Sequence, residues 1–140
     1  MRLLLDTCVV AELRRSRPDP GVVSMIAAHS DSDLHLSVLT IGEICKGITL
    51  LPDGPRRRGL EVWLTGLHSK FSDRLIGIDS ETAEIWGAAT ARASQRGAVV
   101  PAVDGLIAAQ AIRHGLTVAT RNLRHFQEAG ALVLNPWAGG

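Results

Sequence analysis

The sequence has few cysteines, few aromatic residues and almost no lysine. Its 140 residues include two cysteines, no tyrosine and 4% aromatic residues. Cys8 and Cys45 have neither CxxC nor Cys/His ligand spacing, and we expect both to be buried in apolar segments, so structural zinc is disfavoured and a reduced cytoplasm is favoured. Trp63 and Trp86 lie on apolar helical stripes. The sequence therefore offers no aromatic platform on which nucleic-acid bases would stack.

Long apolar runs and a strong charge bias are also absent. No apolar run approaches the roughly 20 residues that span a bilayer, so we expect a soluble, untargeted protein without a membrane partner. The net charge is +1, which does not by itself indicate a nucleic-acid binder. Thirteen of the fifteen cations are arginine, whose planar fork suits phosphate, although a GC-rich genome gives the same bias. With 46% hydrophobic residues, we expect one packed domain over residues 1–140.

Strand-like apolar runs alternate with helical patterns along the chain. The spacing predicts strands at residues 3–5, 34–36, 75–78, 116–119 and 132–134. Helical patterns lie between them: one ends before Pro52, the next starts inside Arg56-Arg57-Arg58, and later ones stop at Gly97 and Gly115. This alternation predicts an α/β fold, a three-layer α/β/α sandwich with a central parallel sheet. Ligands bind such sheets at the carboxyl ends of the strands.

Three acidic residues stand at strand ends and helix starts of this pattern. Asp6 directly follows the first strand, Glu43 lies on the third helix with few charges nearby, and Asp104 lies in the first turn of the helix after Pro101. Each also has an ordinary structural explanation: a helix N-cap, a solvated helix acid, and an interaction with the helix dipole. Thr7 is an equally good N-cap, which would free Asp6 for another task.

Taken together, these acids predict a metal site. Carboxylates that lie side by side raise one another's pKa, so a cluster of them stays ionised only around a cation. Oxygen ligands without His or Cys match Mg²⁺ or Mn²⁺ rather than zinc. Such a site lowers the pKa of a bound water and neutralises the charge that develops on a phosphodiester. The predicted chemistry is phosphodiester hydrolysis, with Asp6, Glu43 and Asp104 as the metal ligands.

Several segments carry a family resemblance. In order and spacing they resemble the motifs of PIN-domain ribonuclease toxins of the VapC family: Leu4-Leu5-Asp6-Thr7, Ser37 with Thr40-Ile41-Gly42-Glu43, Ala102-Val103-Asp104-Gly105-Leu106-Ile107-Ala108, and Val118-Ala119-Thr120-Arg121-Asn122. Two further segments are similar to the FitB-like branch in particular, namely Leu50-Leu51-Pro52-Asp53-Gly54 and Asn135-Pro136-Trp137.

The resemblance implies a PIN-like fold with five parallel strands and an Mg²⁺- or Mn²⁺-dependent RNA endonuclease activity. It also implies a homodimer, for which the apolar stripe of the fourth helix is available, and a cognate VapB-like antitoxin through which operator DNA is bound. The chain would then be the toxin of a type II toxin–antitoxin system. Asp6, Glu43 and Asp104 match the three acidic positions of the family.

Three positions depart from the family pattern near the site, and one of them is Cys8, where similar sequences often have Asn. Asn122 falls at the fourth acidic position, where many relatives have Asp, and an amide brings no negative charge. We expect Asn122 to orient a metal-bound water or the substrate, and whether the site holds one or two metals stays open. His125 stands where similar sequences often have Asp, and a packing or surface role is favoured for it. The role of Arg56-Arg57-Arg58 is left open between phosphate contact and a solvated turn.

Two other function classes that place an Asp after a strand fit the sequence less well than the nuclease. A haloacid-dehalogenase phosphatase needs Asp-x-Asp-x-Thr, but position 8 is Cys and position 10 is Val. A phosphoacceptor receiver domain needs a lysine near the last strand, and the only lysines are Lys46 and Lys70. The serious alternative is a non-catalytic PIN-fold binding module within an antitoxin–DNA repressor complex, which Asn122 favours.

Overall fold

The computed structural model describes residues 1–138, so the last two residues of the predicted domain lie outside the described residues. Within them, short strands alternate with helices: β1 (Leu3–Leu5), α1 (Thr7–Leu13), α2 (Pro20–Ala27), a 3₁₀ turn (Asp31–Asp33), β2 (Leu34–Ser37), α3 (Val38–Thr49), α4 (Pro55–Lys70), β3 (Leu75–Ile76), α5 (Ser80–Gln95), α6 (Ala102–His114), β4 (Thr117–Ala119), α7 (Leu123–Glu128) and β5 (Val133–Leu134).

The strands form one parallel sheet in the order β3-β2-β1-β4-β5. The first strand is the central one: Leu3–Leu5 pairs with residues 34–36 of β2 on one side and with residues 117–119 of β4 on the other. Because all strands run the same way, their carboxyl ends lie at one edge of the sheet. This confirms the predicted central parallel sheet.

The pleat of β1 divides the core between the two faces of the sheet. Leu3 and Leu5 pack with residues of α1, α2, α3 and α4, whereas Leu4 packs with residues of α6 and α7 on the opposite face. Helix α5 lies against α6. The result is the expected three-layer α/β/α sandwich, in which the strands are buried on both faces as parallel strands require.

Several element boundaries differ from the sequence prediction. Helix α3 ends at Thr49 instead of continuing to residue 51, α4 starts at Pro55, one residue before the basic run, and β3 ends at Ile76. Proline at the first turn of α4 is favourable because that position has no helical partner for an N–H. Gly115 ends α6 in the left-handed conformation, with φ of 67°, as its sequence position predicts.

Two expectations about burial are wrong. Cys45 is exposed on α3 and Cys8 is only half-buried, because apolar neighbours in sequence lie on other faces of a helix. On α4, Trp63 and three leucines are half-buried and pack against the core of their own chain (Leu60, Leu64 and Leu67). The use of this stripe in a homodimer stays a prediction. Among residues 1–138, no helix is long and apolar enough to cross a membrane.

Candidate active site

A depression of about 470 Å³ opens at the carboxyl edge of the sheet. It is lined by the side chains that follow β1 and β4, by one residue of α3 and by one of α6: Asp6, Thr7, Cys8, Glu43, Asp104, Arg121 and Asn122. Strands β1 and β4 are parallel neighbours, so the residues after them meet although more than 110 positions separate them. The fold thus brings all the predicted site residues to one pocket.

Asp6 is the most firmly held of the three acids. It is 8% exposed, and its Oδ2 atom accepts a hydrogen bond of 2.8 Å from the buried hydroxyl of Thr120. Its Oδ1 atom accepts one of 2.9 Å from the backbone N–H of Thr7, so Asp6 itself is the N-cap of α1. The N-cap explanation of Asp6 is therefore confirmed, and Thr7, the alternative cap, does not take this role. Capping uses one carboxylate oxygen and leaves Asp6 in the pocket wall.

Thr7 instead holds Glu43. Its hydroxyl donates a hydrogen bond of 2.7 Å to Glu43 Oε1, and the buried hydroxyl of Thr40 lies 3.2 Å from the same Thr7 oxygen. Thr7 is placed to donate to either oxygen, and since a hydroxyl has one proton to give, the shorter contact to the charged carboxylate takes it. Glu43 is exposed on α3, and this contact ties it to the first turn of α1.

Asp104 is the acid whose ionisation the pocket disfavours. Burial raises the pKa of the Asp104 carboxyl, and the negative charges of Asp6 and Glu43 raise it further, against an opposing effect of His125. Gly105 lets the start of α6 come close to α5: a Cβ there would lie 3.1 Å from the Trp86 indole nitrogen. This close packing fixes the position of the first turn of α6, which carries Asp104, relative to α5.

The three acids line one pocket but are not arranged as a complete metal-binding site. Within residues 1–138, no three His, Cys, Asp or Glu side chains are grouped closely enough to hold a metal ion. The predicted single coordination shell is therefore not preformed. The physical reason is visible in the contacts, since Glu43 is drawn to Thr7 and the negative charges of the carboxylates repel one another. The donor chemistry, three carboxylates facing one opening, still fits a hard cation such as Mg²⁺ or Mn²⁺.

Asn122 occupies the rim of the pocket. It is exposed and stands immediately before α7, but its side chain makes no capping hydrogen bond. Its backbone N–H donates to Thr120 Oγ1 at 2.9 Å, which fixes the turn between β4 and α7. The turn thus holds Asn122 at the pocket through its backbone, and the side-chain amide stays free of a capping contact; its role in orienting water or substrate stays a prediction.

The sequence also singled out His125 and the arginine run 56–58, and their surroundings in the structure differ from those of the three acids. His125 is half-buried on α7, where its Nδ1 atom has no hydrogen-bond partner among residues 1–138 and its charge acts on Asp104. The arginine run begins α4 outside the pocket, where Arg57 donates to the carbonyl of Leu51 and Arg58 pairs with Asp53. These contacts support the structural explanation of the arginine run.

Sequence reasoning assigned no role to Thr7, Thr120 or Arg121 in the pocket. Thr120 follows β4 as Asp6 follows β1, so the rule that placed Asp6 at the carboxyl edge also applies to Thr120 and Arg121. The sequence pattern could therefore have identified Thr120 and Arg121 as pocket residues. The contact between Thr7 and Glu43 had no such signal, because it depends on how α1 and α3 pack.

The pattern of the PIN domain matches residues 3–132 of the sequence. The chain belongs to the PIN-domain family. It is 35% identical to VapC ribonuclease Y4jK of Sinorhizobium fredii over 96% of this chain and 97% of that protein. It is also 35% identical to toxin FitB of Neisseria gonorrhoeae, over 96% of this chain and 98% of that protein.

Solved structures agree with this assignment. The structure of FitAB bound to an IR36 DNA fragment matches this PIN domain with a TM-score of 0.91 and 34% identity, over 97% of this chain and 96% of that chain. A match of this quality over nearly the whole of both chains confirms the PIN-like fold. It also confirms the resemblance to the VapC family and its FitB-like branch that the motifs indicated.

Proposed function

We propose that this PIN domain, spanning residues 1–140, is a metal-dependent endoribonuclease and the toxin of a VapBC-like toxin–antitoxin system. One observation carries the proposal: Asp6, Glu43 and Asp104, far apart in sequence, line one pocket at the carboxyl edge of the sheet. The raised pKa of Asp104 supports it, since a cation between the carboxylates would remove the repulsion that opposes its ionisation.

The relatives support the substrate and the partners. One is named a VapC ribonuclease and another a toxin, and the matching structure is that of a FitAB complex bound to DNA. By analogy, we propose RNA as the substrate, a VapB-like antitoxin as the inhibitor, and contact with operator DNA through that antitoxin only. A homodimer and a cytoplasmic location stay predictions. Sedimentation velocity at micromolar concentration tests the dimer, and a monomer there would contradict it.

Asp6, Glu43 and Asp104 are the residues that would hold Mg²⁺ or Mn²⁺. The ion supplies Lewis-acid activation of water and neutralises charge on the phosphodiester. The residues of the chain prepare the pocket for this: Thr120 and the N–H of Thr7 fix both oxygens of Asp6, and the hydroxyl of Thr7 fixes one oxygen of Glu43. Such outer contacts orient ligands and limit the loss of side-chain entropy when the ion binds.

The reaction that fits these groups is hydrolysis of a P–O bond by water. Asn122, at the rim, has both a donor and an acceptor to offer to a water or to the sugar-phosphate backbone. Cys8 is a poor nucleophile here, because burial raises the pKa of its thiol and the Asp6 carboxylate raises it further. A covalent cysteine mechanism is therefore disfavoured.

The experiment compares purified, antitoxin-free wild type with Asp104→Asn on a panel of structured and unstructured RNAs, including tRNA, in Mn²⁺. Asparagine keeps the shape of the side chain and removes the charge that binds the ion. We expect cleavage by wild type only, and none by either protein in EDTA. Asp53→Asn is a matched control, since Asp53 is exposed in the loop before α4 and outside the pocket. It should cleave like wild type.

The second candidate function is the non-catalytic binding module, favoured by the amide at Asn122 in place of an acid. The same assay separates the two. Equal cleavage by wild type and Asp104→Asn would mean a contaminating nuclease and would overturn the assignment of these acids. No cleavage by either antitoxin-free protein across the panel, tRNA included, would favour the binding module.

A further inference from the structure

The pocket has a single cationic side chain among its lining residues. Arg121 is exposed and lines the same pocket as three carboxylates, Asp6, Glu43 and Asp104. An RNA phosphate that enters such a pocket is repelled by every carboxylate that is not neutralised, so a cation on the protein must draw the strand in. Arginine suits this task because its planar fork offers paired N–H donors to two phosphate oxygens.

Arg121 lies over the ring of a tryptophan. Its guanidinium carbon lies 5.1 Å from the centre of the Trp137 ring, and Trp137 is 8% exposed. A guanidinium that stacks by its face keeps the N–H groups at its edge. In the part of the chain that the structure describes, these groups enter no side-chain hydrogen bond or ion pair, although Arg121 is near enough to Asp19 for its charge to lower the pKa of that carboxyl. By contrast, Arg124, the next arginine in the chain, pairs with Glu128 on the surface of α7.

The segment that carries Trp137 is itself fastened to the start of α2. Asp19 Oδ2 accepts hydrogen bonds of 2.9 Å from the backbone N–H groups of Ala138 and Gly21, and the first of these is the main reason why the pKa of Asp19 is lowered. A Cβ at Gly21 would lie 2.2 Å from the carbonyl oxygen of Pro136, so only glycine allows this approach. We call residues 135–138 the C-terminal clamp.

We infer that Arg121 binds a backbone phosphate of the RNA substrate and that Trp137, set by the C-terminal clamp, is the positioning residue for Arg121. The inference rests on the proposed ribonuclease function and adds to it the side chain that holds the substrate. Stacking on a buried ring restricts a long, flexible side chain before the phosphate arrives, so less conformational entropy is lost when the contact forms.

Fluorescence anisotropy with a labelled single-stranded oligoribonucleotide of mixed sequence tests the role of Arg121. The background is Asp104→Asn, which does not cut the probe. We expect Arg121→Ala to raise Kd roughly 10- to 100-fold, as for loss of a charged hydrogen bond, and to reduce the slope of log Kd against log salt by about 0.7. Arg121→Lys should keep the salt slope and lose part of the affinity, because it keeps the charge without the fork.

Arg92→Ala is the matched control. It removes the same charge from an exposed position on α5 outside the pocket, so it should leave Kd within about twofold of the background. If Arg121→Ala binds the oligoribonucleotide like Arg92→Ala, with an unchanged salt slope, the inference about Arg121 is overturned.

A double-mutant cycle tests the positioning role of Trp137. Trp137→Leu keeps the position apolar and removes the ring, and we expect it to raise Kd roughly two- to fivefold when Arg121 is present. In the Arg121→Ala background the same substitution should have no further effect. An equal effect in both backgrounds would mean that Trp137 acts on the fold alone, which overturns its positioning role.

Thermal melts accompany the cycle because Trp137 also belongs to the core. Should Trp137→Leu not fold, Trp137→Phe takes its place, since phenylalanine keeps a ring with a weaker attraction for the guanidinium. Its smaller effect must likewise vanish in the Arg121→Ala background. Absence of RNA cleavage by the wild-type protein would refute the proposed function. The binding measurements test the role of Arg121 independently of cleavage.

Discussion

Thr120→Val removes one buried hydroxyl from the pocket and tests how Asp6 is held. Thr120 is 0% exposed and Asp6 is 8% exposed. The hydroxyl donates to Asp6 Oδ2 at 2.8 Å and accepts from the Asn122 N–H at 2.9 Å. Valine has nearly the same shape, so the change leaves Asp6 Oδ2 with only a weak Cys8 contact at 3.6 Å.

The expected loss of stability follows from these contacts. A buried hydrogen bond to a charged acceptor contributes about 1.5–3 kcal/mol and a neutral one about 1 kcal/mol. The added methyl group returns about 0.8 kcal/mol by burial. The free energy of unfolding should therefore fall by about 2–3 kcal/mol, and Tm by about 6–9 °C at this chain length.

The assay combines thermal melts in EDTA with a Mn²⁺ titration of RNA cleavage. A side chain that orients a metal ligand typically changes metal affinity roughly 10- to 100-fold when it is removed, so half-maximal cleavage should need correspondingly more Mn²⁺. Thr117→Val is the matched control, because it makes the same change on β4 outside the pocket. If Thr120→Val has the same Tm as Thr117→Val and needs no higher Mn²⁺ concentration for half-maximal cleavage, Thr120 does not hold Asp6.

Three further outcomes are expected. Asp104→Asn should raise Tm in EDTA at neutral pH, because burial raises the pKa of Asp104 and its ionised form therefore lowers the stability of the folded state. The gain in Tm should disappear in acid, where Asp104 is protonated in both the folded and the unfolded chain. Asn122→Asp should tighten Mn²⁺ binding in isothermal titration calorimetry, and an unchanged affinity would place residue 122 outside the metal shell. Gly21→Ala should lower the unfolding free energy by roughly 1–3 kcal/mol in urea, whereas Gly66→Ala, with open space around its Cβ, should raise it.

The layered fold and the acids of the pocket were predictable from sequence because both follow from local pattern. Apolar runs of strand length alternating with helical stripes imply a parallel sheet, and parallel strands put Asp6 at the edge where ligands bind. The helix stop at Gly115 was predictable for the same reason, since a left-handed residue favours glycine.

Contacts between distant elements were not predictable in this way. Thr7 was considered only as an alternative cap of α1, but its hydroxyl reaches Glu43 across the gap between α1 and α3. Cys45 was expected to be buried, but it is exposed on α3. Each depends on which face of a helix meets the core, and that is set by packing of the whole chain rather than by neighbours in sequence.

The central position of β1 has a consequence for synthesis of the protein. The strand made first completes its pairing only when β4, more than a hundred residues later, has been made. Contacts of such long separation form late in folding. Asp6 therefore lacks its Thr120 hydrogen bond, and the pocket lacks one wall, in any nascent chain that ends before β4. The pocket at the carboxyl edge of the sheet therefore cannot be complete before β4 has been translated and has paired with β1.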